Sequence, residues 1–267
     1  MSGCRVVLVG WGAIGQRVAD LLVARAMPGA AIVGVAVRNA RAVQNLPNGA
    51  KVIVDPDMLA GLKPDLVVEV AGRAAVAPWG RAALAAGADF APASTSAFSD
   101  PLLLNDLVAL ARAHQRQVLI PPGALGGIDA LSAASRLGLD TVRHEIIKPP
   151  AAWRGTEAET LCDLNTLSEA TTFFEGTADQ AAVRFPQNAN VAMISALAGI
   201  GSARTTVALV ADPAAQRNAH RLFAVGDFGT LAITLENRPI PTNPKTSELT
   251  ALSLVRLIEN RVSPLVI

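Results

Sequence analysis

The sequence predicts an α/β protein in two parts, a doubly wound parallel sheet followed by a second α+β domain. Three observations carry that expectation. Short apolar runs alternate with helical patterns over residues 1–120. A glycine-spaced turn, Gly10-Trp11-Gly12-Ala13-Ile14-Gly15, follows the first of those runs. The alternation then stops at Pro121-Pro122-Gly123, beyond which shorter strands stand among polar, irregular segments.

Arg5–Val9 reads as a strand from its length and β-branched content, and the glycines break it. Ala13–Arg25 follows as a helix, with Ile14, Val18, Leu21 and Leu22 at helical spacing. Ala31–Val37 and Lys51–Val54 are the next strands. Asp65–Val70 is nearly all apolar inside, as suits a strand covered on both faces. An Ala-rich helix at Ala74–Ala86, a strand at Asp89–Ala91, a helix at Leu102–His114 and a sixth strand at Gln117–Ile120 complete the series. Right-handed crossovers between such strands give the doubly wound arrangement. Past Pro121 the expected elements are a helix within Gly126–Leu137, a strand at Thr141–Ile147, an irregular stretch over Ala151–Asn165 and an apolar helix at Asn190–Ile200. Thr205–Val210, Leu222–Val225 and Thr230–Leu235 read as short strands of antiparallel character. Gly226-Asp227-Phe228-Gly229 forms a hairpin turn between the last two. Pro239–Thr246 reads as a loop and Glu248–Glu259 as a helix. The expected division is 1–120, 121–245 and 246–267, with the last helix packing back on the first domain.

Composition narrows the function classes. The 267 residues suit about two domains or one large one. With 23 basic and 22 acidic residues the net charge is +1, so no general field attracts DNA, RNA or anionic lipid. No helix-turn-helix or basic patch suggests a nucleic-acid partner either. Cys4 and Cys162 cannot make a disulfide framework or a Cys-rich zinc site, and no metal site is expected. The apolar stretches stop short of the ~18 residues that a membrane helix needs. Met1–Val9 carries one basic residue and no signal-type apolar region, so a soluble, cytoplasmic protein is expected. The chain has no Tyr and three His, which excludes a Tyr acid and leaves His114, His144 and His220 for any imidazole chemistry.

The glycine turn lies between a strand and a helix, the context that gives G-x-G-x-x-G its meaning as the dinucleotide fingerprint of a Rossmann domain. Gly10 makes the tight turn, Gly12 lets a pyrophosphate approach the backbone, and Gly15 allows close helix-to-strand packing. The opening residues of the helix, Ala13 and Ile14, offer amides to phosphate. NAD or NADP is therefore the expected cofactor. After Val37, where an acidic residue would bind the ribose hydroxyls of NAD, stands Arg38. It is suited to stacking on adenine or meeting a 2′-phosphate, so NADP is expected to be accepted; the competing reading is a solvated surface Arg. Gly72 and Ser94-Thr95-Ser96 lie at carboxyl ends of strands, the edge where ligands bind, or are ordinary loop residues.

Four further segments stand out: Ile120–Asp129 (IPPGALGGID), Phe185–Ala192 (FPQNANVA), Arg217–His220 (RNAH) and Asn243–Ser247 (NPKTS). With the glycine turn, their order and spacing resemble the L-aspartate dehydrogenase family over essentially the whole chain. The resemblance implies oxidation of L-aspartate to iminoaspartate with NAD or NADP, the product hydrolysing to oxaloacetate and ammonia or feeding NAD biosynthesis. It implies that the catalytic His of an N-x-H motif is His220, and that Ala124 and Asn190 contact the cofactor. Pro122 replaces an expected small residue, and Ala93–Phe98 is a looser match than the usual loop; both bear on cofactor-loop geometry, and neither removes a catalytic group.

The chemistry agrees. The substrate amine must be neutral before hydride leaves its Cα, so a general base helps, and a His serves both directions. His220 starts a strand after a polar turn; His114 reads as a solvated helix end, and His144, between Arg143 and Glu145, as a sheet-surface or interface residue. Two substrate carboxylates call for cations and donors, for which Lys148, Asn188, Lys245, Thr246 and Ser247 are candidates. Lys245 is equally suited to capping the last helix or crossing to another subunit, and Asn188 to a turn. Rival readings are a non-catalytic NAD(P)-binding sensor, and a related dehydrogenase acting on another small amino or hydroxy acid. The paired His of dihydrodipicolinate reductases is missing, and Glu69-Val70-Ala71 stands where similar sugar oxidoreductases carry Glu-Lys-Pro. Homoserine dehydrogenases remain possible by fold alone. A homodimer is expected, since two-fold symmetry is the commonest.

Overall fold

The computed structural model describes residues 3–40, 43 and 45–267, without the side chains of Gln187, Pro244 and Lys245. β1 (Cys4–Val9) leads through α1 (Ala13–Ala24) to β2 (Ala30–Ala36) and β3 (Lys51–Ile53). The short α2 (Leu59–Leu62) precedes β4 (Leu66–Glu69), and α3 (Arg73–Ala85), β5 (Asp89–Pro92) and α4 (Pro101–Ala113) follow. The strands pair in parallel in the order β3-β2-β1-β4-β5. The chain runs outward from β1 on one side and resumes on the other at β4, so the ligand-binding switch point of such a sheet lies at the carboxyl ends of β1 and β4. Val6, Val7, Leu8, Leu66, Val67 and Val68 are wholly buried, as both faces of a parallel sheet require.

The expected sixth strand is a single bridge between Phe90 and Val118. Phe90 N donates to Gln117 O and Leu119 N to Phe90 O, and there the ladder stops. Pro121 and Pro122 follow at once, and neither has an amide to extend it. α4 begins at Pro101 because the Asp100 carboxylate caps the Leu102 amide at 2.9 Å.

Next come α5 (Ile128–Ala134), β6 (Leu139–Lys148), α6 (Ala158–Leu161), β7 (Thr171–Thr177), α7 (Ala178–Arg184), α8 (Ala189–Ala198), β8 (Thr206–Ala211), β9 (Asn218–Gly226) and β10 (Gly229–Asn237). They form a sheet in the order β10-β9-β6-β8-β7. This sheet is mixed, because β6 and β8 pair in parallel while its other pairs are antiparallel. The β9–β10 hairpin turns at Gly226–Gly229 as expected. Ala151–Asn165 contains α6, and Trp153 there is wholly buried. The expected loop at Pro239–Thr246 holds two short paired strands, β11 (Pro239–Ile240) and β12 (Asn243–Ser247), which lead into α9 (Glu248–Glu259).

The chain divides into two compact units. One comprises Met1–Gly123, Ile240–Thr246 and Thr250–Ile267; the other comprises Ala124–Pro239 and Ser247–Leu249. In the first, Ala251, Leu254, Val255 and Ile258 of α9 join Val6 and Leu8 of β1, Val18 and Leu22 of α1 and Val68 of β4 in one core. The half-exposed Arg25–Glu259 ion pair adds little beside that apolar burial. In the second, α7 and α8 cover one face of the sheet with Ala181, Phe185, Ala192 and Ala196 against Ile146, Val207 and Leu209. α8 is apolar nearly all round, the signature of a buried helix, and its alanines allow a close approach to the strands.

Candidate active site

In the first unit the glycine turn divides its tasks by position. Gly10 has φ +107°, and a Cβ there would stand 2.8 Å from the Ala71 amide nitrogen. A Cβ on Gly15 would run into the Gly10 carbonyl oxygen, whereas one on Gly12 would meet nothing within 4 Å. Gly12 is the N-cap of α1 and supplies no side-chain cap, and the first turn carries no acidic residue. The opening amides of α1, those of Ala13 and Ile14 among them, are therefore suited to donate to an anion. Ile14 itself packs on the core. The turn borders a cavity of about 650 Å³, also lined by Val37, Arg38, Val70 and Gly72. An open glycine wall beside an uncapped helix fits a dinucleotide pyrophosphate.

Glu69, which the sequence reading did not single out as a site residue, shapes this cleft. Its buried carboxylate accepts from the amides of Ala71 and Gly72, each at 2.7 Å, from Ser94 N at 3.2 Å and from Ser94 Oγ at 3.0 Å. It thereby fastens the Gly72 turn to the Ser94 loop beside it. Burial pushes its pKa up, and these donors oppose that shift.

In the second unit, strand alternation assembles a row of basic groups. Ile146 of β6 pairs with His220 of β9. His144 and Lys148, two residues to either side of Ile146, are therefore the diagonal neighbours of His220 on one face. His144 Nε2 lies 3.2 Å from His220 Nδ1, and His144 Nδ1 lies 3.0 Å from Ser195 Oγ of α8. His144 is thus not a surface residue: its exposure is 0%. The charged neighbours that suggested otherwise point the other way across the pleat. There Arg143 pairs with Glu145 at 3.1 Å and Glu175 at 2.9 Å. Burial pushes the His144 pKa down to about 4. Burial, then the neighbouring His144 and Lys148, hold His220 well below the ordinary imidazole value.

Lys148 and Asn188, picked separately from the sequence, meet: Lys148 Nζ donates to Asn188 Oδ1 at 2.5 Å. The ammonium also stands 4.8 Å over the Trp153 ring, whose Nε1 donates to Val210 O at 3.0 Å. Burial pushes the Lys148 pKa down to about 8. The row therefore offers two neutral imidazoles and one ammonium at neutral pH. That set can hold an anion and accept a proton.

The cleft-lining residues all belong to the first unit, while Ala124 and Asn190 belong to the second. Ala124 is buried, its carbonyl accepting from Asn237 Nδ2 at 2.9 Å, and Asn190 is exposed in the first turn of α8. Thr246 Oγ1 accepts from Asn243 Nδ2 at 3.0 Å, and Ser247 Oγ accepts from Leu249 N at 3.2 Å, a turn contact and a helix cap. The Lys245 side chain lies outside the described residues. His114 is exposed at the end of α4. Among the described residues no helix is long and apolar enough to cross a membrane.

Comparison with known proteins gives a consistent result. The family model for the aspartate dehydrogenase C-terminal domain matches residues 129–261, and that for the homoserine dehydrogenase NAD binding domain matches residues 10–121. An L-aspartate dehydrogenase of Brucella anthropi is 58% identical over 263 residues, covering 98% of each chain. One of Pseudomonas aeruginosa is 42% identical over 259 residues, covering 96% of each. Among solved structures, the aspartate dehydrogenase of Thermotoga maritima matches with a TM-score of 0.78 at 27% identity over 99% of both chains. A dihydrodipicolinate reductase of Paenisporosarcina shares the fold, with a TM-score of 0.57 at 13% identity over 97% of this chain and 92% of that one.

Proposed function

The chain belongs to the L-aspartate dehydrogenase family, and on that footing we propose that it oxidises L-aspartate to iminoaspartate with NAD or NADP. His220 is the group that moves the substrate proton. Lys148, held by Asn188, receives a substrate carboxylate. The observation that carries this reading is the buried row on β6 and β9, in which an imidazole that is neutral near pH 7 shares a sheet face with an ammonium.

The nicotinamide cofactor supplies the hydride acceptor when bound. His220 takes the proton from the substrate ammonium, freeing the nitrogen lone pair to expel hydride from Cα. In the reverse direction the imidazolium of His220 returns that proton. Lys148 offsets the charge of a dianionic substrate locally, which the net charge of +1 cannot do globally. Arg38, exposed at the edge of the cleft, is assigned to the adenosine end of the cofactor and to acceptance of NADP. Ala124 and Asn190 are assigned to the cofactor, and Lys245, Thr246 and Ser247 to the substrate, on family resemblance alone.

The product hydrolyses to oxaloacetate and ammonia or enters NAD biosynthesis. A cytoplasmic homodimer accompanies this proposal, checked by light scattering of the purified protein. The test of function is a panel of amino and hydroxy acids offered with each cofactor, following the reduced nicotinamide. L-Aspartate should give the highest kcat/KM, with amination of oxaloacetate at high ammonia. No turnover of any small acid would turn the reading toward a binding-only protein.

A further inference from the structure

We propose that His144 is a positioning residue that holds His220 in one tautomer, with the proton on Nδ1 and the free lone pair on Nε2. This rests on the reading of His220 as the proton carrier.

The direction of each hydrogen bond follows from Ser195. Its Oγ lies 3.0 Å from Ala192 O and 3.4 Å from Val191 O, the back-bonding contacts of a helical Ser. Carbonyl oxygens only accept, so the hydroxyl proton belongs on that side. Turned toward His144 instead, it would leave two oxygens facing each other at 3.0 Å with no proton between them. Ser195 Oγ can then only accept from His144 Nδ1, 3.0 Å away, which places the His144 proton on Nδ1. A neutral imidazole has one such proton, so His144 Nε2 is a bare acceptor. It faces His220 Nδ1 at 3.2 Å, and that nitrogen must be the donor. The remaining nitrogen of His220, Nε2, is left deprotonated, with its lone pair free to accept.

The chain of donors thus runs from His220 Nδ1–H to His144 Nε2, from His144 Nδ1–H to Ser195 Oγ, and from the Ser195 hydroxyl to Ala192 O. Every proton points away from the nitrogen that must accept one. When His220 Nε2 takes the substrate proton, a new N–H bond forms there and the substrate N–H bond breaks. The Nδ1–H bond to His144 stays in place and becomes charge-assisted. No proton moves through His144, whose part is to orient the ring and select its tautomer.

The test combines nitrogen spectroscopy with kinetics on the full chain. In protein labelled with ¹⁵N-histidine, His220 should show a protonated Nδ1 and an unprotonated Nε2. His144→Leu should lower kcat for L-aspartate about tenfold or more, and shift the His220 tautomer signature, while KM and NADP affinity stay within about twofold. His144→Gln, whose amide oxygen can accept from His220 Nδ1, should retain the wild-type signature and recover most of the rate. A wild-type His220 protonated on Nε2 overturns the proposal, and that spectrum decides alone if His144→Leu does not fold. A folded His144→Leu protein with wild-type kcat and tautomer also overturns it. In that case a crippled His220→Ala protein leaves the role of His220 standing, whereas wild-type kcat in His220→Ala overturns both.

Discussion

His144 Nε2 stands 3.2 Å from His220 Nδ1, with both rings buried on the same face of the second sheet. Burial disfavours charge on either ring, and His220 also feels His144 and Lys148 beside it, which is why both pKa values lie below the ordinary range.

That pair predicts an acid-sensitive fold. The unfolded chain binds a proton at each His near the ordinary value of 6.5, while folded His144 waits until about 4. Between those values the unfolded state holds more protons, so stability falls as pH drops, by about 1.4 kcal/mol per pH unit for each such His. The slope fades through pH 6.5 and is nearly gone about one unit above it. Urea midpoints from pH 7.5 down to 4.5 check this. His144→Gln should flatten the curve, and a flat wild-type curve contradicts the assignment.

Lys148 predicts an alkaline limit on substrate binding. Its ammonium is present below about pH 8 and is lost above it, so KM for L-aspartate should rise through that value. Lys148→Met should raise KM by about 10–100-fold, the worth of a hydrogen bond to a charged group, and leave NADP affinity unchanged. Losing a cation near His220 should also move the acid limb of kcat/KM upward, toward the ordinary imidazole value. A merely structural Lys148 would shift that limb too, but would leave KM without a rise near pH 8.

The glycine turn predicts a division between stability and binding. Gly15→Ala sets a methyl against the Gly10 carbonyl and should cost about 1–3 kcal/mol or more of stability. Gly12→Ala adds a methyl in open space, so it should melt like wild type yet bind cofactor more weakly. Melting curves and cofactor titrations on the two variants separate the effects.

Arg38 predicts cofactor preference. Arg38→Ala should weaken NADP several-fold, the worth of a solvent-screened charge contact at an exposed side chain, while NAD changes little. Equal or better turnover with NAD and no loss with NADP would remove the role given to Arg38.

Much of the first unit was legible because its signals are local. Apolar runs, a glycine turn and helical spacing each act over a few residues. The sixth strand failed because the following prolines lack the amides that would extend its ladder. In the second unit the decisive relationships join distant segments. Thr171–Thr177 carries Thr, Glu and Gly, and becomes a strand only by pairing with β8. The parallel pairing of β6 with β8 leaves no local mark. The charged neighbours of His144 suggest a surface position, whereas alternation along 144, 146 and 148 puts His144 and Lys148 on one face. Ser195 lies within an apolar helix, and Glu69 ends an apolar strand with its partners split between residues 71–72 and the distant Ser94.

The most direct measurement is steady-state L-aspartate oxidation by His220→Ala beside a calorimetric titration with NADP. With His220 as the proton carrier, kcat falls by ~10²-fold or more while cofactor affinity stays near wild type. A wild-type kcat in this variant, with the protein folded and the cofactor bound, would contradict the role of His220 and the mechanism built on it.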